Sequence, residues 1–193
     1  MSVQTTLTRT AGRARVPGVS LRAFIHNDGA FFLTEVGVYK DGMVDAWGLL
    51  TFEQFVANVR SGWVTTELPR HARVSIFPFG DFKLVEGKVG ISADDLIAEV
   101  ADVIERLNDR PDSPDRCFTA WERYRAAPTA KNRAALRKAY EAVPAHNRPY
   151  ILQDQDSRDA PIREALYGKE TRSSKKNEKP VEASRPARKR RQD

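Results

Sequence analysis

Three groups of residues have types and spacings that could do chemistry. The first is Arg22, Glu35, Tyr39 and Asp45. A guanidinium, a phenol and two carboxylates on one surface could hold a small polar ligand or move a proton, provided a fold brings them together. Trp63, directly after Gly62, could line such a groove or simply open a strand. The second group closes the run Tyr150-Ile151-Leu152-Gln153-Asp154-Gln155-Asp156-Ser157. An apolar segment ending in D-x-D can present carboxylates to Mg²⁺, with Asp159 as a third donor. Enzymes using that pattern need a large α/β body after it, and here only a short stretch follows. An EF-hand loop fails as well, because its sixth position is Asp159 rather than Gly and its twelfth is not Glu. The reading for Asp154, Asp156 and Asp159 is a polar loop, with Asp159 capping the next helix and no metal.

The third group is basic. Lys175, Lys176, Arg185, Arg188, Lys189, Arg190 and Arg191 lie in a segment without a single aromatic residue. Such a segment can contact phosphates through counterion release, giving salt-sensitive, sequence-independent attraction to nucleic acid, but it cannot stack bases. Segment 169–193 holds ten basic against four acidic residues and no Ile or Leu, so it is expected to be a disordered basic tail. Residues 1–18 carry three Arg and no acid, lack the apolar run of a secretory signal, and read as a flexible N-terminus. The net charge of +6 thus belongs to the two ends, and residues 19–168, with 19 basic and 22 acidic groups, are mildly acidic.

Glycine-rich phosphate loops, H-E-x-x-H and G-x-S-x-G are absent, and His26, His71 and His146 fall in separate segments. One cysteine, Cys117, permits neither an internal disulfide nor a cysteine-based zinc site, and is expected to be a buried thiol. No cofactor is implied. No apolar run approaches the roughly 20 residues that cross a bilayer, so the expected setting is the cytoplasm, without membrane contact.

The elements that must position these groups are legible from turns and periodicity. Three strands over 19–50 are separated by Asp28-Gly29 and Asp41-Gly42, dipeptides suited to type I′ turns. Thr51 with Gln54 forms a capping box before Phe52, Phe55, Val56 and Val59, and Gly62 stops that helix. Short strands follow at 63–68, 73–77 and 82–86. Leu96, Ile97, Val100, Val103, Ile104 and Leu107 then mark one face of a helix begun at Ser92; its opposite side, with Asp94, Glu99, Asp102 and Glu105, reads as solvated. A helical hairpin is expected over 115–126, with Phe118, Trp121 and Tyr124 inward, and over 129–142, with Leu136, Ala139 and Tyr140 inward. A short helix from Pro161 to Tyr167 ends at Gly168. The fold class is α+β: an antiparallel sheet built from hairpins within a 19–110 domain, packed by helices, and a helical extension over 111–168.

If both Asp-Gly turns contain two residues, strand register follows. Arg22 faces Glu35, Ile25 faces Phe32, Val38 faces Asp45 and Val36 faces Trp47. The core face then carries Leu21, Ala23, Ile25, Phe32, Val36, Val38, Met43, Trp47 and Leu49. Asp45 would share that face, either satisfied at its turn or held with a raised pKa for function. The other face would set Arg22, Glu35 and Tyr39 beside the small residues Gly37, Ala46 and Gly48, which leave either a shallow groove or room for a helix.

The stretch D-G-M-V-D-A-W-G at 41–48 and the later Gly62-Trp63-Val64 resemble an uncharacterised family of bacterial proteins over roughly residues 20–110. The resemblance implies a shared α+β domain and no chemistry. The leading expectation is a non-enzymatic protein that binds a protein partner through its folded body, with the tail adding electrostatic contacts. The alternatives are an enzyme or small-ligand binder at the Arg22–Glu35–Tyr39–Asp45 groove, and a nucleic-acid accessory protein acting through the tail. The sequence leaves the oligomeric state open.

Overall fold

The computed structural model of the chain describes residues 5–87, 90–154 and 156–168. At its centre stand two long antiparallel strands, β2 (Ala14–Asn27) and β3 (Ala30–Tyr39). They join through Asp28 and Gly29 at φ 48 and 70, the type I′ geometry that the dipeptide favours, and Arg22 faces Glu35 while Ile25 faces Phe32.

From residue 6 onward the N-terminal segment is not a loose end. Strand β1 (Thr6–Ala11) pairs with β2 from Thr6 opposite Val19 to Ala11 opposite Ala14, turning through Gly12 at φ 60 and Arg13. A terminal position and an Arg-rich composition are a poor guide here. An edge strand is held by its backbone ladder, and the Thr-rich run suits a pleated surface.

In place of the single third strand expected, β4 (Val44–Asp45) and β5 (Leu49–Leu50) pair with each other through a bend at Trp47, and β4 meets β3 one residue out of the expected register. Val38 faces Val44 and Gly37 faces Asp45. The cause is the turn: the Tyr39 N–H donates to the Met43 carbonyl and the Gly42 N–H to the Tyr39 carbonyl, both at 2.9 Å. Of Lys40, Asp41 and Gly42 only the glycine has positive φ, at 82. This is a three-residue turn closed by a left-handed glycine, not a type I′ turn. Because side chains alternate, one extra residue reverses every facing. Val44 and Ala46 are buried, whereas Asp45, Trp47 and Leu49 face solvent and Met43 is only half-buried.

Strand β6 (Val64–Thr65) pairs with the far end of β2. Strand β7 (Arg73–Ile76) joins β3 in parallel, with Phe31 opposite Val74, so the otherwise antiparallel sheet contains one parallel pair. Strand β8 (Gly80–Lys83) returns antiparallel to β7 and forms the outer edge.

Helices α1 (Phe52–Arg60) and α2 (Ala93–Leu107) cover one face of the sheet. The Thr51–Gln54 capping box starts α1 and the Ser92 hydroxyl caps α2. Phe55, Val59, Leu96, Val100 and Val103 pack on Ala23, Ile25, Val36, Val38, Val44, Ala46 and Val64. Each fully buried large side chain contributes about 1.5–3 kcal/mol.

A second core lies among α3 (Ser113–Ala126), α4 (Ala130–Glu141) and α5 (Ala160–Tyr167), around Cys117, Leu136, Tyr140, Val143, Ile151, Ile162 and Leu166. Helix α3 begins earlier than expected because Asp112 and Asp115 cap its start reciprocally. That phase turns Cys117 inward and leaves Phe118 exposed, against the expectation that Phe118 packs inside. The architecture is α+β.

Candidate functional site

The structure brings Arg22, Glu35, Tyr39 and Asp45 to one face of the sheet, opposite α1 and α2, with the Tyr39 ring laid across the surface between them. Arg22 and Glu35 are exposed across the β2–β3 ladder. Tyr39 is buried, its ring lying over two glycines: a Cβ at Gly18 would come within 2.6 Å of Tyr39 Cδ1, and one at Gly37 within 3.1 Å of the Tyr39 oxygen and 3.3 Å of Leu7 Cδ1. Tyr39 and Leu7 therefore fill the space above Gly37, Ala46 turns to the opposite face into the core, and only Gly48 has open space above it. Arg9 stacks on the Tyr39 ring at 5.2 Å and pairs with Asp41, so the phenol has a lid from β1. Burial raises the Tyr39 pKa, the Asp45 charge raises it further, and Arg9 opposes both.

Asp45 stands outside the core. Its carboxylate accepts the Gly48 N–H at 3.1 Å, closing the bend in which Trp47 has φ 58. Trp63 lies on the opposite face, partly buried against the core beneath α1 and α2, so it does not line the surface around Tyr39. Trp47 lies against Phe32 with its ring tilted at 53°, centroids 5.4 Å apart, and donates its indole N–H to Thr34 at 3.2 Å.

The D-x-D segment does not converge either. Asp154 accepts the Asp156 N–H at 2.9 Å and the Ser157 hydroxyl, closing a tight polar loop. Asp159 occupies the position before α5 but makes no capping bond; instead it is buried and accepts the Tyr140 hydroxyl at 2.5 Å. Among the described residues no three His, Cys, Asp or Glu side chains gather as a metal cluster would require. Lys175, Lys176, Arg185, Arg188, Lys189, Arg190 and Arg191 lie outside the described residues.

The side of α2 that reads as solvated is where the helical half docks. Asp102 is buried and accepts both the Ser113 N–H at 2.7 Å and the Ser113 hydroxyl at 2.5 Å. Arg106 pairs with Asp112 at 2.7 Å. Asp95 accepts the Ala145 N–H at 2.7 Å, and Glu99 meets His146. Burial raises the Asp102 pKa against the lowering pull of the two Ser113 bonds. At Asp95 the balance reverses: burial opposes ionisation, but bonds from Ala145 and Ser92 hold the pKa below the usual range. Carboxylates at helical spacing look alike in a sequence, and their partners at positions 113, 145 and 146 carried no signal. These bonds build a joint between two packed units.

Exposed apolar side chains gather on the β7–β8 hairpin. Val74, with Ile76 and Leu84 beside it, packs inward on Phe31, Leu68 and Ala72, which anchors the hairpin to the sheet. Its tip turns through Phe77-Pro78, a cis peptide bond, and the Phe79 N–H donates to the Ile76 carbonyl at 2.6 Å. Beyond that anchor Phe77 is 94% exposed, Phe79 77%, Phe82 50% and Val85 70%. His71, Arg73, Asp81, Phe82 and Lys83 line an open depression of about 440 Å³ beside the edge. A larger one, about 550 Å³, lies along α4 between Tyr124, Arg133, Arg137 and Glu141. Sequence reasoning placed strands here and passed over the aromatic tip, although F-P-F-G-D-F is an unusual density of phenylalanine for a turn.

No helix among the described residues is long and apolar enough to cross a membrane. No curated protein and no solved structure matches the chain. The family model of the domain of unknown function DUF7639 matches residues 112–191, beginning at the residue that caps α3. That of the domain of unknown function DUF7638 matches residues 6–111, the sheet with α1 and α2, and the chain belongs to this family.

Proposed function

We propose that this is a cytoplasmic binding protein that engages a protein partner through the β7–β8 hairpin, with basic segment 169–193 adding electrostatic contacts. The observation that carries the reading is the exposure of Phe77, Phe79 and Phe82 on a hairpin that Val74, Ile76 and Leu84 anchor to the sheet. Three exposed aromatic rings within one short hairpin mark a surface suited to binding, since aromatic residues are enriched in interface cores. A rigid two-stranded base presents those rings with little further entropy to lose on binding. The small-ligand alternative has less support, since Tyr39 and Leu7 fill the space over Gly18 and Gly37 between Arg22, Glu35 and Asp45. For the basic segment the support is compositional: ten basic residues against four acidic ones.

The test compares proteins retained from source-cell extract by the full chain, by Phe77→Ser with Phe79→Ser, by Phe118→Ser as a surface control, and by a chain ending at Gly168. The expected result is a protein retained by the full chain and the control but lost from the double variant, whose thermal midpoint should be unchanged because both rings are already solvated. Without 169–193, retention should persist and become less salt-sensitive. Identical retention by the double variant would sink the reading.

A further inference from the structure

We infer that β8 pairs antiparallel with β8 of a second copy of this chain, the two strands crossing at Phe82. The inference rests on the binding reading, in that it names the occupant of the same hairpin. Among the described residues β8 is bonded on one side only, to β7, so its other edge carries free backbone groups. Their positions follow from the ladder. The Leu84 N–H donates to the Ala72 carbonyl at 2.9 Å, and bonding pairs alternate in an antiparallel ladder. Phe82 and Gly80 therefore direct their backbone groups toward β7, while Asp81 and Lys83 direct theirs to the open edge.

An isologous contact must match this edge to itself through a two-fold axis. Centred on Phe82, the pairing sets Asp81 against Lys83 of the second copy, and Lys83 against Asp81. Those are the residues whose N–H and C=O groups face outward, so each pair can exchange two backbone bonds and bring opposite charges together. Phe82 then meets its own copy at the non-bonded position, where side chains approach most closely. Further out, the same register brings Phe79 toward Val85, two of the most exposed apolar residues among those described.

Charge selects this register. Centring the contact on Asp81 or on Lys83 sets like charges against each other, and so does parallel in-register pairing. A lysine on an edge strand ordinarily deters pairing, but here its counterpart in the pair is an aspartate. In the single copy Asp81 already lies 3.7 Å from Arg73, both exposed, which leaves the second carboxylate oxygen for Lys83. Phe82 is opposite buried Val74 and remains half exposed, so a second Phe82 extends the small core of Phe31, Leu68, Ala72 and Val74 across the axis.

Sedimentation of the purified full chain tests this. The expected species at high concentration has twice the 21.7 kDa chain mass and dissociates on dilution. Asp81→Lys alone and Lys83→Asp alone should each sediment as single chains, with unfolding midpoints near that of the parent. An equimolar mixture of the two should recover the double mass, as should the variant carrying both changes. Single-charge variants that remain dimeric, or a mixture that does not associate, overturn the inference. A parent chain that stays monomeric at every concentration does so too. If that monomer still loses its extract partner on Phe77→Ser with Phe79→Ser, the binding reading stands with a different occupant; if it instead pelts down with phosphatidylcholine vesicles, the occupant is a lipid surface.

Discussion

Replacing Asp102 by Ala and, separately, by Asn distinguishes what its bonds do from what its charge does. Asp102 is 3% exposed and its two oxygens satisfy both donors of Ser113, which is itself buried at the start of α3. Ala strands a buried N–H and a buried hydroxyl, each costing about 1–3 kcal/mol, while relieving the burial of a carboxylate. The net expected loss is about 2–4 kcal/mol, a sizeable part of a typical 5–15 kcal/mol stability. Asn keeps the shape and an acceptor for the Ser113 N–H, so its loss at neutral pH should be about 1 kcal/mol or less. The pH dependence separates the variants further. Burial holds the Asp102 pKa above its unfolded value near 3.9, so folding favours the protonated form. Its contribution is fully present below the unfolded pKa and is lost as pH rises through the raised folded pKa. Asn does not titrate, so subtracting its stability from that of the parent cancels the other carboxylates. Urea denaturation followed by far-UV circular dichroism from acid to neutral pH should give a difference that falls across that window and is flat above it. Parallel curves would refute the linkage, and an Ala variant within about 0.5 kcal/mol of the parent would refute the role of these bonds in holding α3 to α2.

Three further outcomes are expected. Tyr140→Phe leaves the buried Asp159 carboxylate without its hydroxyl donor and should cost about 1–3 kcal/mol in chemical denaturation. Because burial, and then the bond to Asp159, raise the Tyr140 pKa, the parent should lose stability as pH climbs past the unfolded value near 10, a loss absent from the variant. Gly18→Ala drives a methyl to 2.6 Å from both Tyr39 Cδ1 and the Val38 carbonyl, and a backbone oxygen cannot yield easily; a lower thermal midpoint, corresponding to about 1–3 kcal/mol, should follow. Cys117 is buried, its pKa pushed up to about 11 mainly by desolvation, so a thiol reagent should modify it only at the rate of unfolding; rapid labelling of the native protein would contradict this placement.

Helices with strong local punctuation are legible in the sequence. The Thr51–Gln54 box, Ser92 ahead of α2, and the Pro161 and Gly168 bounds of α5 each involve residues within a turn or two of one another, and each stands where the spacing placed it. The buried thiol at Cys117 was legible too, although the phase of α3 was not: Phe118 is larger, but the face is fixed by where Asp112 docks under Arg106. Asp45 held a warning. A carboxylate on a core face is costly, and a shift of one residue sends it outward while turning Val44 and Ala46 inward. Among the residues singled out for chemistry, Arg22, Glu35, Tyr39 and Asp45 share a face as the alternation of the long strands requires, but whether that face is hollow depended on β1. Nothing local indicated that Leu7 and Arg9 would lie across Tyr39.

The two Asp-Gly dipeptides define the boundary between what sequence and tertiary structure each decided. The sequence determined that the chain turns at both, that β2 and β3 pair as a long hairpin, and that helices follow at Phe52 and Ala93, because turn chemistry and apolar spacing act over a few residues. It did not determine which turn each dipeptide makes. Asp28-Gly29 closes two residues and Asp41-Gly42 ends a three-residue turn in which the Asp41 carboxylate pairs with Arg9 and the Lys40 N–H donates to the Pro17 carbonyl at 2.9 Å. Those partners lie more than twenty residues away. The choice rests on long-range bonds and on burying Val44 and Ala46 beneath α1 and α2, free energies that exist only once the sheet and helices are assembled.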